Sequence, residues 1–188
     1  MLLKLIDENE GTLSDVFNTF PRVAVPILEL CETVMRGPSS FTVGERELIA
    51  AYVSKTNDCG YCAMTHTEAA ETLGAKKGVV TELLDNIESA EVDEKMRPVL
   101  AYVKKLCLNP NSLQEEDVDE IISAGWDEYA VHDAVSVCAM FQFFNHYVMG
   151  LGLDEGDKAV GRGKLLSQYG YAILIDKLKL REKAITDK

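Results

Sequence analysis

Positive charge is what this chain has least of. Its 19 Lys and Arg stand against 31 Asp and Glu, a formal charge of −12 with a pI near 4.7. That balance repels phosphodiester backbones and anionic lipid, which excludes nucleic acid and a membrane surface as the main partner. Long hydrophobic runs are also missing. No apolar stretch approaches the roughly 20 residues of a membrane span, and the opening MLLKLIDENEG turns acidic before an apolar core of secretion-signal length can form. The expected location is the cytoplasm. Alternating strand patterns flanked by hairpin signals are absent too, which removes the sheet-based classes. The cysteines, at 31, 59, 62, 107 and 138, are odd in number and spread over 188 residues, so no disulfide scaffold is expected and a reducing compartment fits.

What remains is helical periodicity over nearly the whole length, in a chain long enough for one self-sufficient core. The expected fold is all-α, one domain over residues 1–188, with its last helices at about 157–183 peripheral or at an interface. The local signals place helices at Leu13–Phe20 and Pro21–Arg36, then from the Thr42/Glu45 capping box through Thr56. A helix capped by Asn57 or Asp58 follows, ending at Gly74. Others are expected at Lys76–Asn86, Asp93–Leu108, Ser112–Ala124 and Glu128–Met149, with two more at about Lys158–Ser167 and Gln168–Lys183. Glu128–Met149 is apolar on more than one face, as a central or interface helix would be. A shift of 80 residues sets Glu47 against Asp127 and His66 against His146, a weak echo of a duplicated helical hairpin.

One stretch carries chemistry: NDCGYCAMTHTEAA, Asn57 to Ala70. At helical spacing Cys59 lies one turn from Cys62, and Cys62 one turn from His66, so the three form one stripe at a helix N-terminus. The free amides and positive end of the dipole there favour thiolate, and a nearby imidazole can take the thiol proton, so a depressed cysteine pKa is expected. A thiolate of this kind attacks a peroxide oxygen to give a sulfenic acid, and a second thiol condenses with it to a disulfide. His66 stacks over Cys62, which assigns Cys62 the attack and Cys59 the resolution, leaving the reverse order open. A carboxylate should orient the histidine. Glu47 is the leading candidate, eleven residues before Cys59 on the preceding helix, ahead of Glu45, which the cap needs, and Glu68, which points to another face.

Glu47, eleven residues, Cys59-Gly60-Tyr61-Cys62, three residues and His66 resemble the signature of the AhpD-like alkylhydroperoxidases within the carboxymuconolactone decarboxylase superfamily. VLAYVKKLCLNP and AVSVCAMFQFFNHY resemble its uncharacterised peroxidase-related branch. The resemblance implies Cys62 as peroxidatic thiol, Cys59 as resolving thiol, Glu47 and His66 as proton relay, and Tyr61 as the variable His-or-Tyr member between the cysteines. It also implies a multi-helix bundle that forms homo-oligomers, trimers or hexamers. The implied activity is on organic and hydrogen peroxides, with a dithiol or lipoylated carrier protein as reductant and no bound cofactor or metal.

Rival readings follow from the same residues. Two thiolates and an imidazole could supply three zinc ligands, but the spacing is cramped and no second ligand pair exists. Thioredoxin-like exchange lacks its βαβ context. A thiol–disulfide oxidoreductase or a non-enzymatic redox sensor would use the same pair. A lactone decarboxylase of the superfamily would lack the cysteines. His132 and His146 read as satisfied core or interface histidines. Phe141, Phe143, Phe144 and Tyr147 read as core or contact residues, part of which could line an apolar pocket.

Overall fold

The computed structural model describes residues 2–6, 11–153 and 161–186, and within them every regular element is a helix. The order is α1 (Leu13–Thr19), α2 (Pro21–Arg36), α3 (Val43–Thr56), α4 (Gly60–Thr72), α5 (Val79–Asp85), α6 (Met96–Leu108), a 3₁₀ turn (Pro110–Ser112), α7 (Glu115–Ser123), α8 (Glu128–Gly150), α9 (Arg162–Tyr169) and α10 (Ala172–Thr186). The all-α expectation holds.

The starts follow capping chemistry. Thr12 and Asp15 close a capping box on α1, and Thr42 and Glu45 close one on α3. Pro21 opens α2 where a missing N–H costs nothing, and the helix runs unbroken through Pro26. Several boundaries differ from those expected. α5 begins only at Val79, after the left-handed Gly78, and α6 at Met96. α7 is capped by Gln114 and begins at Glu115, three residues past the start the sequence suggested. The last two helices meet at Gly170, whose φ of 59° ends α9, so the break falls two to three residues later than expected. The Lys158 start lies outside the described residues.

α3 is the central element. Every residue from Arg46 to Ser54 is buried, and the helix packs against α2, α4, α5, α6 and α8. Of the two placements expected for α8, central or at an interface, the central one is taken by α3: α8 buries one stripe, from Ala130 through Val137, Phe141 and Phe144 to Val148, and leaves Tyr129, Phe143 and Met149 exposed. His132 and His146 are exposed on it, so neither is a core histidine, and His146 is tied by Nδ1 to the Gln142 carbonyl. The 80-residue echo fails as well, because Glu47 lies inside α3 whereas Asp127 is the exposed N-cap of α8.

α9 and α10 close one side. α10 packs on α2 and buries Ile175 and Leu178 in the core, while α9 lies on α4. Gly163 makes that approach feasible. A Cβ there would sit 2.3 Å from the Thr65 carbonyl oxygen and 2.7 Å from the Ala69 nitrogen. The Gly163 N–H instead donates to Glu68 at 2.9 Å, which clamps α9 to α4.

Candidate active site

The α3–α4 turn builds the site. Asp58 takes a left-handed conformation (φ 56°), tolerated by Asp better than by most residues, and the chain reverses so that α4 runs back along α3. Neither Asn57 nor Asp58 is the cap, as had been expected. The turn uses them up, and Cys59 itself is the N-cap of α4, with its N–H donating to the Ser54 carbonyl at 2.9 Å. Cys62 is then the third residue of the helix and His66 lies one turn further on. All three are buried.

The reversal brings Glu47 against His66. The Glu47 Oε2 lies 2.6 Å from His66 Nδ1, and its Oε1 accepts from Arg36 Nη2, also at 2.6 Å. The other two acidic candidates are spent elsewhere: Glu45 on the cap of α3 and Glu68 on α9. Glu47 is fully buried, which opposes its charge, yet His66 and Arg36 outweigh burial and hold the carboxyl below its usual range. An ionised Glu47 accepts the Nδ1 proton of His66, which leaves Nε2 as the ring's free acceptor. The imidazole and the Phe141 ring pack in a T-shaped pair, with centroids 4.4 Å apart, which helps hold the imidazole in orientation.

Cys62 is not the preformed thiolate expected. Cys62 is pushed far above its ordinary value, first by its hydrogen bond with Cys59 and then by burial. The dipole of α4 does not overcome the hydrogen bond with Cys59 and the burial. Asn145 works in the opposite direction, its side chain bonding to Cys62 and favouring the anion. Its amide also donates to Ser54 Oγ at 3.0 Å and its oxygen accepts from Asn57 at 2.8 Å, so a fully buried polar group on α8 is held by three partners.

Tyr61 points away from the relay. Its hydroxyl accepts from the Leu13 N–H at 3.3 Å and is hydrogen-bonded by Arg162 Nη1, whose guanidinium also lies over the ring. Burial raises the phenol's pKa, with Arg162 acting against it. Tyr61 therefore joins α1 and α9 in the lining of a cavity.

That cavity has a volume of about 520 Å3 and lies between α1, α4, α8, α9 and α10. Cys62 and His66 line it together with Phe17, Phe144, Leu165 and Tyr171. Cys59 is not among the residues that line it. The arrangement offers a thiol and an imidazole acceptor to a mostly apolar guest, with a second thiol behind. Among the described residues, no group of three or more His, Cys, Asp or Glu is placed to hold a metal ion, and the Nδ1 of His66 is taken by Glu47.

Two contributors were missed from the sequence. Arg36 reads as the end of α2, but it joins Glu47, the Leu166 carbonyl of α9 and the Tyr171 ring. No local spacing reveals such a link. Asn145 did carry a signal, as an amide on the apolar stripe of Phe141, Phe144 and Val148.

Residues 21–105, which contain Glu47, Cys59, Cys62 and His66, match the carboxymuconolactone decarboxylase family. The fold is similar to that of an uncharacterised peroxidase-related protein from Silicibacter sp. TM1040, with TM-score 0.73 and 22% identity over 80% of this chain and 79% of that one. It is also similar to an uncharacterised peroxidase-related protein with an alkylhydroperoxidase AhpD core from Ralstonia eutropha JMP134, with TM-score 0.72 and 21% identity over 79% and 78%. A cysteine-to-alanine variant of the debrominase Bmp8, in complex with 2,3,4-tribromopyrrole, shares the fold at TM-score 0.66 and 16% identity over 88% and 81%. No curated protein matches the chain at a significant level. No helix among the described residues is long and apolar enough to cross a membrane.

Proposed function

For a chain whose residues 21–105 fall in the carboxymuconolactone decarboxylase family and whose helices adopt the AhpD-like fold, we propose a thiol-dependent peroxidase that reduces organic or hydrogen peroxides through a Cys59–Cys62 disulfide. The observation that carries this reading is the 2.6 Å contact of buried Glu47 with His66 Nδ1, in a site where His66 and Cys62 both line a mostly apolar cavity.

Cys62 rests as a thiol, so its activation is on demand. His66 Nε2 accepts the Cys62 proton and Glu47 steadies the imidazolium. The thiolate attacks the terminal peroxide oxygen and the O–O bond breaks. The alcohol leaves with the proton held on His66, and Cys62 is now a sulfenic acid. Cys59 attacks that sulfur, water departs, and the disulfide forms. A dithiol returns the pair to thiols, and a lipoylated carrier is the reductant we propose by resemblance. A homo-oligomer is part of the same proposal, and the exposed apolar face of α8 is a surface it could use.

The test is consumption of an organic hydroperoxide with dihydrolipoamide or dithiothreitol by wild type, Cys62→Ser, Cys59→Ser and His66→Ala. Sustained turnover by wild type and its loss in Cys62→Ser are expected. Unchanged turnover in Cys62→Ser sinks the mechanism. Oxidation once per chain without turnover supports a redox sensor instead, and reduction of a disulfide substrate without peroxide consumption supports an oxidoreductase.

A further inference from the structure

The reaction above uses Cys59 and Cys62, and Cys31 is chemically quiet, its thiol pushed up to about 12 mainly by burial. The remaining two cysteines form a second pair. Cys107 lies in the last turn of α6 and Cys138 in the middle of α8, and their Sγ atoms are 3.5 Å apart. Both are free thiols. Cys138 is fully buried, whereas Cys107 is half-buried and offers the more open sulfur of the two.

The pair is polarised. Cys107 is held below its ordinary value, first by the hydrogen bond from Cys138 and also by the Gln142 side chain, and burial opposes them. Cys138 keeps its proton, raised first by that same bond. Gln142 is tied to Asn57, its oxygen accepting at 3.0 Å and its amide nitrogen donating at 3.5 Å, and its side chain also bonds to the Cys107 sulfur. The C-terminal end of α6 alone would disfavour a thiolate. Two donors aimed at one sulfur offset it.

We propose that Cys107 and Cys138 are a second redox site, a dithiol that hydroperoxides oxidise to a disulfide joining α6 to α8 independently of Cys59 and Cys62. The Cys107 thiolate attacks the terminal oxygen of the hydroperoxide and the O–O bond breaks. An alcohol leaves after taking a proton from water, and Cys107 becomes a sulfenic acid. The Cys138 sulfur displaces that hydroxyl, its own proton leaving with it as water, and the S–S bond forms. Closing the 3.5 Å gap to a covalent bond of about 2.05 Å brings the two sulfurs together by roughly 1.5 Å. The step does not borrow oxidation from the first pair. Asn145, the α8 residue that touches Cys62, is seven residues from Cys138, about 10 Å along the helix.

The experiment uses the full chain carrying Cys59→Ser and Cys62→Ser, reduced, freed of reductant and treated with tert-butyl hydroperoxide. Free thiols are then alkylated in denaturant and mapped by mass spectrometry. Of the three thiols left, at Cys31, Cys107 and Cys138, two should be lost, with a Cys107–Cys138 linked peptide and Cys31 alkylated. Adding Cys138→Ser should abolish the link and leave a sulfenic acid at Cys107 that dimedone traps. Wild type, mapped in parallel in case the double variant folds poorly, should show the same linked peptide. Full alkylation of both residues after peroxide in wild type overturns the proposal, as does a link that pairs either with another cysteine. Because the double variant lacks the proposed peroxidase thiols, failure here leaves the peroxidase reading standing, and failure of that reading leaves this one.

Discussion

Glu47→Gln is the substitution the site is least able to absorb, although it changes one atom. The carboxylate accepts two charge-assisted hydrogen bonds, from Arg36 and from His66 Nδ1. An amide offers one oxygen and one NH2 group. If the oxygen faces Arg36, the NH2 faces His66, and the ring must present Nδ1 as an acceptor. The proton then moves to Nε2, the atom proposed to receive the Cys62 proton. If the amide turns the other way, two donors meet at Arg36, which is nearly buried. The first outcome is the less costly, so the variant folds with the wrong tautomer. Loss of a positioned general base typically costs about 10²–10⁴ in rate, and the wrong-tautomer case of a serine-protease triad about 10⁴. Peroxide-dependent turnover should therefore fall by about 10²–10⁴. Stability should fall by about 1.5–3 kcal/mol, the worth of a hydrogen bond to a charged group, read from the urea midpoint.

The sign with pH is set. The Glu47 carboxyl is held below its usual range, so its stabilisation is fully present above the unfolded carboxylate value of about 4.3. It is lost as pH falls through the lower folded value. The stability gap between wild type and variant should shrink on acidification through that window. Turnover within about threefold of wild type, against the hundredfold minimum expected of a positioned base, in a variant with a cooperative unfolding transition, refutes the relay.

Other consequences are open to measurement. Cys59→Ser should leave the Cys62 sulfenic acid without a resolving thiol, so peroxide consumption should stop after about one equivalent per chain, with further oxygens at Cys62 in the intact mass. Gly163→Ala drives a methyl into the α4 backbone. A destabilisation of about 1–3 kcal/mol is expected from overpacking, along with a raised KM for bulky hydroperoxides relative to hydrogen peroxide, because α9 is a cavity wall. Asn145→Leu should shift the pH dependence of Cys62 alkylation upward, since it removes a bond that favours the thiolate. It should also cost about 1–3 kcal/mol through the Asn57 and Ser54 groups it leaves unpaired.

Most helices were readable from local signals. Thr42 and Glu45 announce α3 because a capping box is settled within four residues, and Pro21 opens α2 for a reason internal to its own ring. The misses fall where distant packing chooses among local options. α8 is more apolar than α3, yet α3 is the buried centre, because the surrounding helices close on α3 from every side and only on one face of α8. The cap of α4 slipped to Cys59 because Asp58 could take the left-handed turn.

Spacing alone placed Cys59, Cys62 and His66 on one helix and named Glu47 as their carboxylate, since those relations depend on helical pitch and one short turn. Tertiary structure decided the protonation. Burial and mutual hydrogen bonding made Cys62 a thiol, where the helix dipole by itself argued for a thiolate. It also chose the partners that no spacing encodes: Arg36 beneath Glu47, Asn145 beside Cys62, and Cys138 against Cys107. Local order follows from energies settled within a turn or two of chain. The charge state of a buried group depends on which remote side chains fill the space around it, and that is settled only when the helices pack.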